Sequence, residues 1–339
     1  MDIPALRAAL LDWYDAQARA LPWRAPPGSG RRTDPYRVWL SEVMLQQTTV
    51  PHAAPYFHAF TGRWPTVADL AGADDADVMA AWAGLGYYAR ARNMLKAARA
   101  VAADHGGVFP DTEVGLLALP GVGAYTAAAV AAIAFDRPAN VVDGNVGRVM
   151  ARLFAVETPL PKARPELRRL AGSLVADDRP GDWAQALMDL GATLCRPRSP
   201  LCGQCPVSAF CQARRTGDPA RYPLKTPKAD RPRRQGVAWV VIDTQGRVGL
   251  VRRPERGLLG GMLGLPTSDW SAAPAETRPP LAADWRAAGS VEHVFTHFAL
   301  TLDVLTARAP ASDLIWTDPA QARRALPTVF RKALDRALG

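Results

Sequence analysis

The sequence has only four cysteines in 339 residues, too few for the disulfide scaffold of a small secreted protein. Long hydrophobic runs are also missing. The one extended uncharged stretch, 115–135, is interrupted by Pro120, Gly121 and Gly123, so we expect a buried helix there rather than a membrane span. The first residues are acidic and no basic segment precedes an apolar core, so no signal peptide is visible. These absences predict a cytoplasmic protein.

Basic residues outnumber acidic ones by 41 to 32, and the excess lies in one short segment. Residues 1–213 contain 21 basic and 20 acidic side chains, residues 214–234 contain 8 and 2, and residues 235–339 contain 12 and 10. A basic strip between two nearly neutral blocks favours contact with a polyanion along one face. Basic linkers are, however, often only solvated.

The two blocks differ in their hydrophobic pattern. In residues 1–213 apolar side chains recur at helical spacing, and strand-like alternation is nearly absent. Residues 214–234 hold four prolines and a single aromatic residue, which predicts an extended linker. Residues 235–339 begin with two apolar runs around a turn at 244–246, which predicts a hairpin. We therefore expect a helical domain, 1–213, a linker, 214–234, and a smaller α/β or α+β domain, 235–339.

The same patterns predict individual elements. Helices are expected around 6–14 and 38–44 and over 76–83, 91–103, 124–135, 146–156, 183–194, 319–326 and 330–338. Strands are expected over 236–242, 248–251 and 294–305.

All four cysteines lie within seventeen residues, at Cys195, Cys202, Cys205 and Cys211. Four thiolates so close together can surround one metal ion or cluster, and inert buried cysteines rarely group in this way. Zinc sites usually pair two C-x-x-C units, whereas here one such pair is flanked by single cysteines. The spacing alone therefore leaves zinc and an iron–sulfur cluster both open.

Two short segments are candidates for function, one as a phosphate-binding turn and the other as the position of a catalytic acid. In Leu119–Gly123 two glycines flank a valine ahead of an apolar helix, a pattern that can seat a phosphate on backbone N–H groups or be a plain turn. Asp143 precedes another predicted helix, where it is either a helix N-cap or a functional acid.

Taken together, these segments resemble one family. The hairpin Leu119–Gly123, the segment Val141–Asn145 and the cysteine loop resemble the helix-hairpin-helix DNA glycosylases that carry an iron–sulfur loop. Longer runs at 21–24, 39–48, 84–90 and 188–192 are similar to the MutY-type adenine glycosylases of that superfamily. The resemblance implies an all-α, two-lobed helix-hairpin-helix domain with a [4Fe-4S] loop. It divides this domain into a helical-bundle lobe, 28–133, and an iron–sulfur lobe, 1–27 and 134–213.

The resemblance also implies a chemistry. Members of the family remove adenine mispaired with 8-oxoguanine or guanine, which requires a proton donor for the base and a negative group for the sugar cation. It implies that Glu42 protonates the adenine and later activates water, and that Asp143 stabilises or captures the sugar cation. Without the resemblance, Glu42 would be interpreted as an ordinary solvated helix acid. Tyr125 stands where related lyases carry a lysine, and a phenol cannot form an imine. We therefore expect a monofunctional glycosylase, in which Tyr125 bonds to the acid and Asn145 lies near the sugar.

Further residues acquire expected roles in the same way. Trp23, Arg24 and Gln185 are expected around the extruded adenine, and a glutamine amide can pair with the adenine edge. Gln47 and Tyr87 are expected to wedge into the duplex, and Thr48 and Leu85 to border the opposite base. The hairpin residues Gly121, Val122 and Gly123 are expected to hold a phosphate.

The C-terminal block resembles the Nudix-like, α+β domain of the same family, through residues 257–262 and 293–297. The second run implies that Phe295, Thr296 and His297 check for 8-oxoguanine, with Thr296 in place of the family's usual serine. The expected partner is double-stranded DNA with A:8-oxoguanine or A:G mispairs, bound by a monomer associated with the nucleoid.

Three alternatives remain. A Nudix-type nucleotide hydrolase would need clustered acids for magnesium, and those after Pro266 are scattered. A non-catalytic damage-binding module would not need Glu42 and Asp143 together. An endonuclease III-like glycosylase/lyase would need an amine where Tyr125 stands.

Overall fold

The computed structural model describes residues 1–29, 31–226, 231–254, 256–273, 278–295, 297–310 and 313–339. It divides into two compact units, Met1–Thr226 and Pro227–Gly339.

The first unit is helical. Its helices are α1 Ile3–Gln17, α2 Pro35–Met44, α3 Val50–Arg63, α4 Val67–Ala71, α5 Asp75–Ala81, α6 Ala89–Asp104, α7 Glu113–Leu117, α8 Ala124–Phe135, α9 Gly144–Leu153, α10 Arg164–Gly172, α11 Pro180–Thr193 and α12 Gln212–Arg215. Side-chain caps explain several of these starts, since Asp2, Asp34 and Asp74 each accept a backbone N–H of the following first turn.

Helix α8 lies at the centre of this unit. It is mostly alanine and nearly all of it is buried, because small side chains let neighbouring helices approach closely on every side. It packs against α2, α7 and α11. Large side chains such as Trp39, Trp82 and Phe57 fill the same continuous core. The turn before α8 and the acid on α2 are thereby both fixed to one rigid helix.

Residues 214–226 do not form the extended linker that their composition predicted. The Tyr222 side chain is 3% exposed and belongs to the core of the helical unit. The backbone of Leu160 donates to Leu224 at 2.8 Å, and that of Thr226 donates to Leu160 at 3.1 Å. The single aromatic residue and these backbone bonds attach the segment, so the unit ends at Thr226 rather than at residue 213.

The second unit combines a sheet with two helices. Its elements are β1 Arg233–Ile242, β2 Val248–Arg252, β3 Leu263–Gly264, β4 Arg286–Val294, β5 Ala299–Arg308, β6 Ile315–Thr317, α13 Pro319–Ala325 and α14 Thr328–Leu338. The described strands run in the order β3-β2-β1-β5-β4, with β6 also on β2. The predicted hairpin is confirmed, since Ile242 of β1 faces Val248 of antiparallel β2.

The sheet is mixed because β1 and β5 pair in parallel over their whole lengths. Helix α14 packs on β1, β4 and β5, and its Phe330 and Leu334 complete a core with Val240, Leu302 and Val304. The strand signal over 294–305 falls in two strands. Val294 ends β4 and Ala299 begins β5, and the two strands pair antiparallel.

Among the residues described, the search for membrane-crossing helices finds none that is both long enough and apolar enough.

Candidate active site

A cleft of about 1190 Å³ lies within the helical unit. It takes residues from α2, from the turn before α8, from the start of α9 and from α11, so both predicted lobes contribute to it. The sequence-predicted residues that line it are Trp23, Arg24, Glu42, Gln47, Thr48, Gly121, Gly123, Tyr125, Asp143, Asn145 and Gln185.

Glu42 is the acid on the buried face of α2. Its side chain lines the cleft, yet the residue is only 6% exposed. Burial raises the pKa of Glu42 to about 7, while the hydrogen bond from Tyr125 and the charge of Arg24 oppose the rise. Near neutral pH this carboxyl group can therefore hold a proton and give it up.

Tyr125 is the second residue of α8, directly after the glycine turn. Burial raises the pKa of Tyr125 well above its ordinary value, and the nearby Glu42 charge raises it further. The phenol therefore stays protonated and donates to the Glu42 carboxyl group.

Asp143 is both a helix cap and a wall of the cleft. One carboxylate oxygen accepts from the backbone N–H of Val146 at 2.6 Å, and the other accepts from the Asn145 amide at 3.1 Å. The two roles suggested by the sequence are thus compatible. Capping α9 fixes the carboxylate, which remains half-buried and open to the cleft.

A hydrogen-bonded chain continues from Asn145 to the cysteine loop. The side-chain oxygen Oδ1 of Asn145 accepts from Arg148 Nη2 at 2.8 Å, and Arg148 Nε donates to the backbone oxygen of Cys195 at 2.8 Å. The orientation of Asn145 beside Asp143 is therefore tied to where that loop lies.

Asp189 is a site residue to which the sequence analysis assigned no role. It is 0% exposed, and it accepts from Arg19 Nε at 2.7 Å and from Arg24 Nη1 at 2.8 Å. A buried carboxylate between two arginines fixes both of them, so Asp189 holds Arg24 at the wall of the cleft near Glu42. The signal in the sequence that could have indicated this role was an acidic residue within the mostly apolar helix predicted over 183–194.

Gln185 has a polar atom without a partner among the described residues. It is buried, its Nε2 donates to the carbonyl of Gly181 at 3.3 Å, and its Oε1 accepts nothing although it lines the cleft. A buried acceptor of this kind needs a donor to recover its lost hydration. Trp23 is also buried and packs edge-on against Phe57, so it serves the core and the cleft together.

The glycine turn presents only part of the predicted phosphate seat. Gly121 has a φ of +72°, and the amides of Gly121 and Gly123 have no acceptor within the part of the chain that the structure describes. The N–H of Val122 instead donates to Leu119 at 3.2 Å, and its side chain is buried. The turn therefore uses the N–H of Val122 internally, and a contact of Val122 with a phosphate stays a prediction.

The residues expected at the duplex take different positions. Gln47 and Thr48 follow α2 and line the cleft. Tyr87 does not line it, and its side chain is 67% exposed on the turn after α5. Leu85 lies in the same turn but is buried in the core, so its side chain is not presented at the cleft wall.

The four cysteines form a loop packed against α9. Burial, together with the charges of the other three cysteines, raises the pKa of Cys205 to about 12, so four thiolates here need a compensating cation. Four thiolate donors in one loop fit an iron–sulfur cluster, whose irons are held by cysteine thiolates. Beneath the loop, buried Arg152 donates to Cys195 Sγ at 3.3 Å and to the carbonyl of Arg196 at 2.7 Å.

In the second unit, two of the residues expected to check the opposite base, Phe295 and His297, lie between β4 and β5. The backbone N–H of Phe295 donates to the carbonyl of Phe298 at 2.9 Å, and the Phe295 ring stacks on Trp270 with centroids 5.7 Å apart. His297 is exposed. Thr296 lies outside the described residues.

Three family profiles match parts of the chain. Residues 40–172 match the HhH-GPD superfamily of base excision DNA repair proteins, residues 195–211 match the iron–sulfur binding domain of endonuclease III, and residues 237–336 match the NUDIX domain. These matches agree with the helical unit, the cysteine loop and the sheet unit.

Similar structures support the helical fold. A thermostable thymine-DNA glycosylase aligns with a TM-score of 0.56 and 30% identity, over 63% of this chain and 97% of that one. A complex of endonuclease III with DNA aligns with a TM-score of 0.52 and 22% identity, over 64% and 98% of the two chains, which is a likeness of fold.

Curated relatives extend the match to both units. A human adenine DNA glycosylase is 36% identical over 95% of this chain and 70% of its own length. An adenine DNA glycosylase of Mycolicibacterium smegmatis is 42% identical over 62% of this chain and 70% of its own length. The identity extends over nearly the whole chain, and one cleft is lined by both a buried acid and a helix-capping aspartate. This protein belongs to the adenine DNA glycosylase family.

Proposed function

We propose that this protein is a monofunctional glycosylase that hydrolyses the N-glycosidic bond of an adenine paired with 8-oxoguanine or guanine. The observation that carries the proposal is the pairing of unlike acids in one cleft. Buried Glu42 has a pKa raised by burial to about 7, whereas half-buried Asp143 is held by Val146 and Asn145. A leaving purine needs a proton and the sugar left behind needs a negative neighbour, and this pair meets both needs.

In the proposed reaction the Glu42 carboxyl group protonates a ring nitrogen of adenine as the bond from base to sugar breaks. Electrons of that bond leave with the base, and the resulting sugar cation is stabilised by the Asp143 carboxylate. The deprotonated Glu42 then takes a proton from a water molecule, whose oxygen bonds to the sugar carbon. Tyr125 keeps Glu42 oriented by the hydrogen bond between them.

Tyr125 also supports the monofunctional assignment. A lyase forms an imine between a lysine amine and the opened sugar before it cuts the backbone. The residue beside Glu42 is instead a phenol whose pKa is raised well above its ordinary value by burial. It has no amine to offer.

The base pocket is proposed to use Gln185, Trp23 and Arg24. The unpartnered Oε1 of Gln185 can accept from the exocyclic amine of adenine, which is a donor. Extruding a base costs a few kcal/mol, and a buried acceptor satisfied only by adenine helps to offset this cost. Asp189 keeps Arg24 in place through bonds of 2.8 Å.

The proposed partner is duplex DNA, bound by a monomer on the nucleoid. Gln47 and Tyr87 enter the base stack, Thr48 borders the opposite base, and the free amides of Gly121 and Gly123 hold a phosphate. In the second unit Phe295, Thr296 and His297 check the opposite base. The cysteines Cys195, Cys202, Cys205 and Cys211 hold the [4Fe-4S] cluster, which links and orders their loop when bound.

The test is adenine release from duplexes with adenine opposite 8-oxoguanine, guanine or thymine. We expect release from the first two by the wild-type protein and by Glu113→Gln, an exposed acid on α7, but none by Glu42→Gln. Release from the thymine duplex alone would contradict the substrate assignment. Loss of activity in both variants would contradict the role of Glu42.

Strand scission is measured in the same reactions. Breaks that form without alkali would support an endonuclease III-like lyase and overturn the monofunctional assignment. Tight binding of the mispair with no base release would support a damage-binding module.

A further inference from the structure

One side chain on α6 contacts both turns that carry the proposed wedge residues. Arg90 Nη1 lies 3.0, 3.1 and 2.5 Å from the carbonyl oxygens of Val43, Met44 and Gln46. Its Nη2 donates to the carbonyl oxygens of Leu85 at 3.0 Å and Gly86 at 3.4 Å. The guanidinium group therefore joins the C-terminal end of α2 to the turn after α5.

The positions of these carbonyls matter because of the residues that follow them. Gln47 has a φ of 60° and Tyr87 a φ of 49°, a left-handed conformation that residues with side chains rarely adopt without support from their surroundings. The Gln46 carbonyl belongs to the peptide unit that enters Gln47, and the Gly86 carbonyl belongs to the one that enters Tyr87. Arg90 thus holds the peptide plane before each strained residue.

The planar guanidinium group suits this task. It presents donors in a fixed fork, so two nitrogens can serve separate groups of acceptors at once, whereas a lysine ammonium is a single point. The same group lies 5.3 Å from the ring centroid of Trp82 and 5.6 Å from that of Tyr87. Its contacts therefore reach one of the wedge side chains as well as the backbone.

We propose that Arg90 is a positioning residue that fixes Gln47 and Tyr87 relative to each other, so that both enter the duplex together when the adenine is extruded. The inference rests on the proposed function, in which these two side chains occupy the space left in the stack. Arg90 itself contacts no reacting atom in this mechanism. Its effect falls on base extrusion and not on the chemistry of Glu42.

The test compares Arg90→Lys with Arg99→Lys. Arg99 is a matched control because it lies on the same helix and also bonds backbone carbonyls, those of Ala71 and Ala73, together with the Asp75 carboxylate. Extrusion is followed by the fluorescence of 2-aminopurine placed opposite 8-oxoguanine, in proteins that also carry Glu42→Gln so that no base is released.

We expect Arg90→Lys to reduce the fluorescence rise about threefold or more and to slow single-turnover adenine release about tenfold, since small misplacements are costly in a preorganised site. The midpoint of the pH profile should not move, because the surroundings of Glu42 are unchanged. Arg99→Lys should stay within about twofold of the wild-type protein in both measurements, as a substitution remote from the wedge turns.

A double-mutant cycle provides the second measurement. If Arg90 acts through the wedge residues, Arg90→Lys should slow adenine release far less in a protein that already carries Gln47→Ala and Tyr87→Ala. Additive effects would overturn the proposal.

Extrusion by Arg90→Lys equal to that of Arg99→Lys would also overturn the proposal. If circular dichroism showed that Arg90→Lys does not fold, the proposal would also be overturned, because Arg90 would then be required for folding. A wild-type protein that releases no adenine would contradict the proposed function instead, and the fluorescence comparison would still decide the role of Arg90.

Discussion

Glu42 and Asp143 show how surroundings separate two carboxylic acids of the same cleft. Glu42 sits within α2, where burial raises its pKa to about 7. Asp143 is half-buried at the start of α9, and its carboxylate accepts hydrogen bonds at 2.6 and 3.1 Å. Burial without sufficient compensation favours the neutral form of Glu42. The proposed division of labour between proton donor and charge stabiliser rests on this difference in surroundings.

The first prediction at this scale is the pH dependence of adenine release. Because the mechanism needs protonated Glu42, the single-turnover rate should fall about tenfold per pH unit above the Glu42 pKa of about 7. The measurement is a rate profile on the A:8-oxoguanine duplex at saturating protein. A rate that keeps rising with pH through this range would contradict the role of Glu42 as the acid.

The second prediction concerns stability. The pKa of Glu42 is raised in the folded protein, from 4.5 to about 7, so the folded state keeps a proton that the unfolded state loses between these values. The stability contributed by this residue is therefore fully present below pH 4.5 and is lost as the pH rises through about 7. Above this pH the buried Glu42 lowers the free energy of unfolding by at most about 3 kcal/mol at 25 °C.

Glu42→Gln removes this cost because a glutamine has no proton to lose. We expect the variant to gain up to about 3 kcal/mol relative to the wild-type protein between about pH 5 and pH 8, measured by urea unfolding at both values. Glu113→Gln serves as the control from an exposed position. A difference between variant and wild type that does not change with pH would contradict the burial argument.

At the scale of elements, the glycine turn and α8 act as one piece. Gly121 has a φ of +72°, and a Cβ there would lie 2.5 Å from the Cβ of Asn93 on α6. Gly123 has a φ of −93°, and a Cβ there would meet nothing within 4 Å. The first glycine is therefore required by the packing of the turn against α6, and the second is not.

The prediction from this difference is a matched pair of variants. Gly121→Ala should lower the free energy of unfolding by about 2 kcal/mol, because it adds both backbone strain and a steric clash. Gly123→Ala should change it by less than about 0.5 kcal/mol, because its backbone conformation suits alanine. Urea unfolding gives both values, and equal effects would contradict the assignment. Weaker DNA binding by Gly121→Ala would further support the turn as a phosphate seat.

At the scale of the whole molecule, the chain consists of two units with separate cores. The helical unit continues to Thr226 because Tyr222 is buried in it and the Tyr222 carbonyl accepts from buried Arg152 at 3.1 Å. The basic segment is thus partly a component of the helical fold.

A pair of fragments tests this boundary. The fragment 1–226 should unfold cooperatively, whereas the fragment 1–213 should be less stable by about 3 kcal/mol because it loses the buried side chain of Tyr222 and leaves Arg152 short of an acceptor. Both fragments keep all four cysteines, so equal visible absorbance shows that cluster content is not the cause. Equal melting temperatures would place the boundary near residue 213.

The sequence by itself predicted the family and many, though not all, of the elements. Periodic segments such as 330–338 matched their helix, here α14, because local spacing fixes which face is buried. Helix α3 was missed because Pro51 and Pro55 interrupt its pattern. Pro51 lies in the first turn, where α-helices tolerate proline, and Pro55 lies inside the helix. Four cysteines in a short segment predicted a metal ion or cluster before any fold was known, because residues so close along the chain must also lie close in space.

Only the tertiary structure decided what depends on contacts between distant parts of the chain. The raised pKa of Glu42 comes from its neighbours and not from its place in α2. The link from Asp189 to Arg24 joins α11 to a loop far away in the sequence, and the link from Arg90 to Gln46 joins α6 to the end of α2. Burial, charge pairing and the direction of a hydrogen bond are properties of packed surroundings, which no local pattern of residues contains.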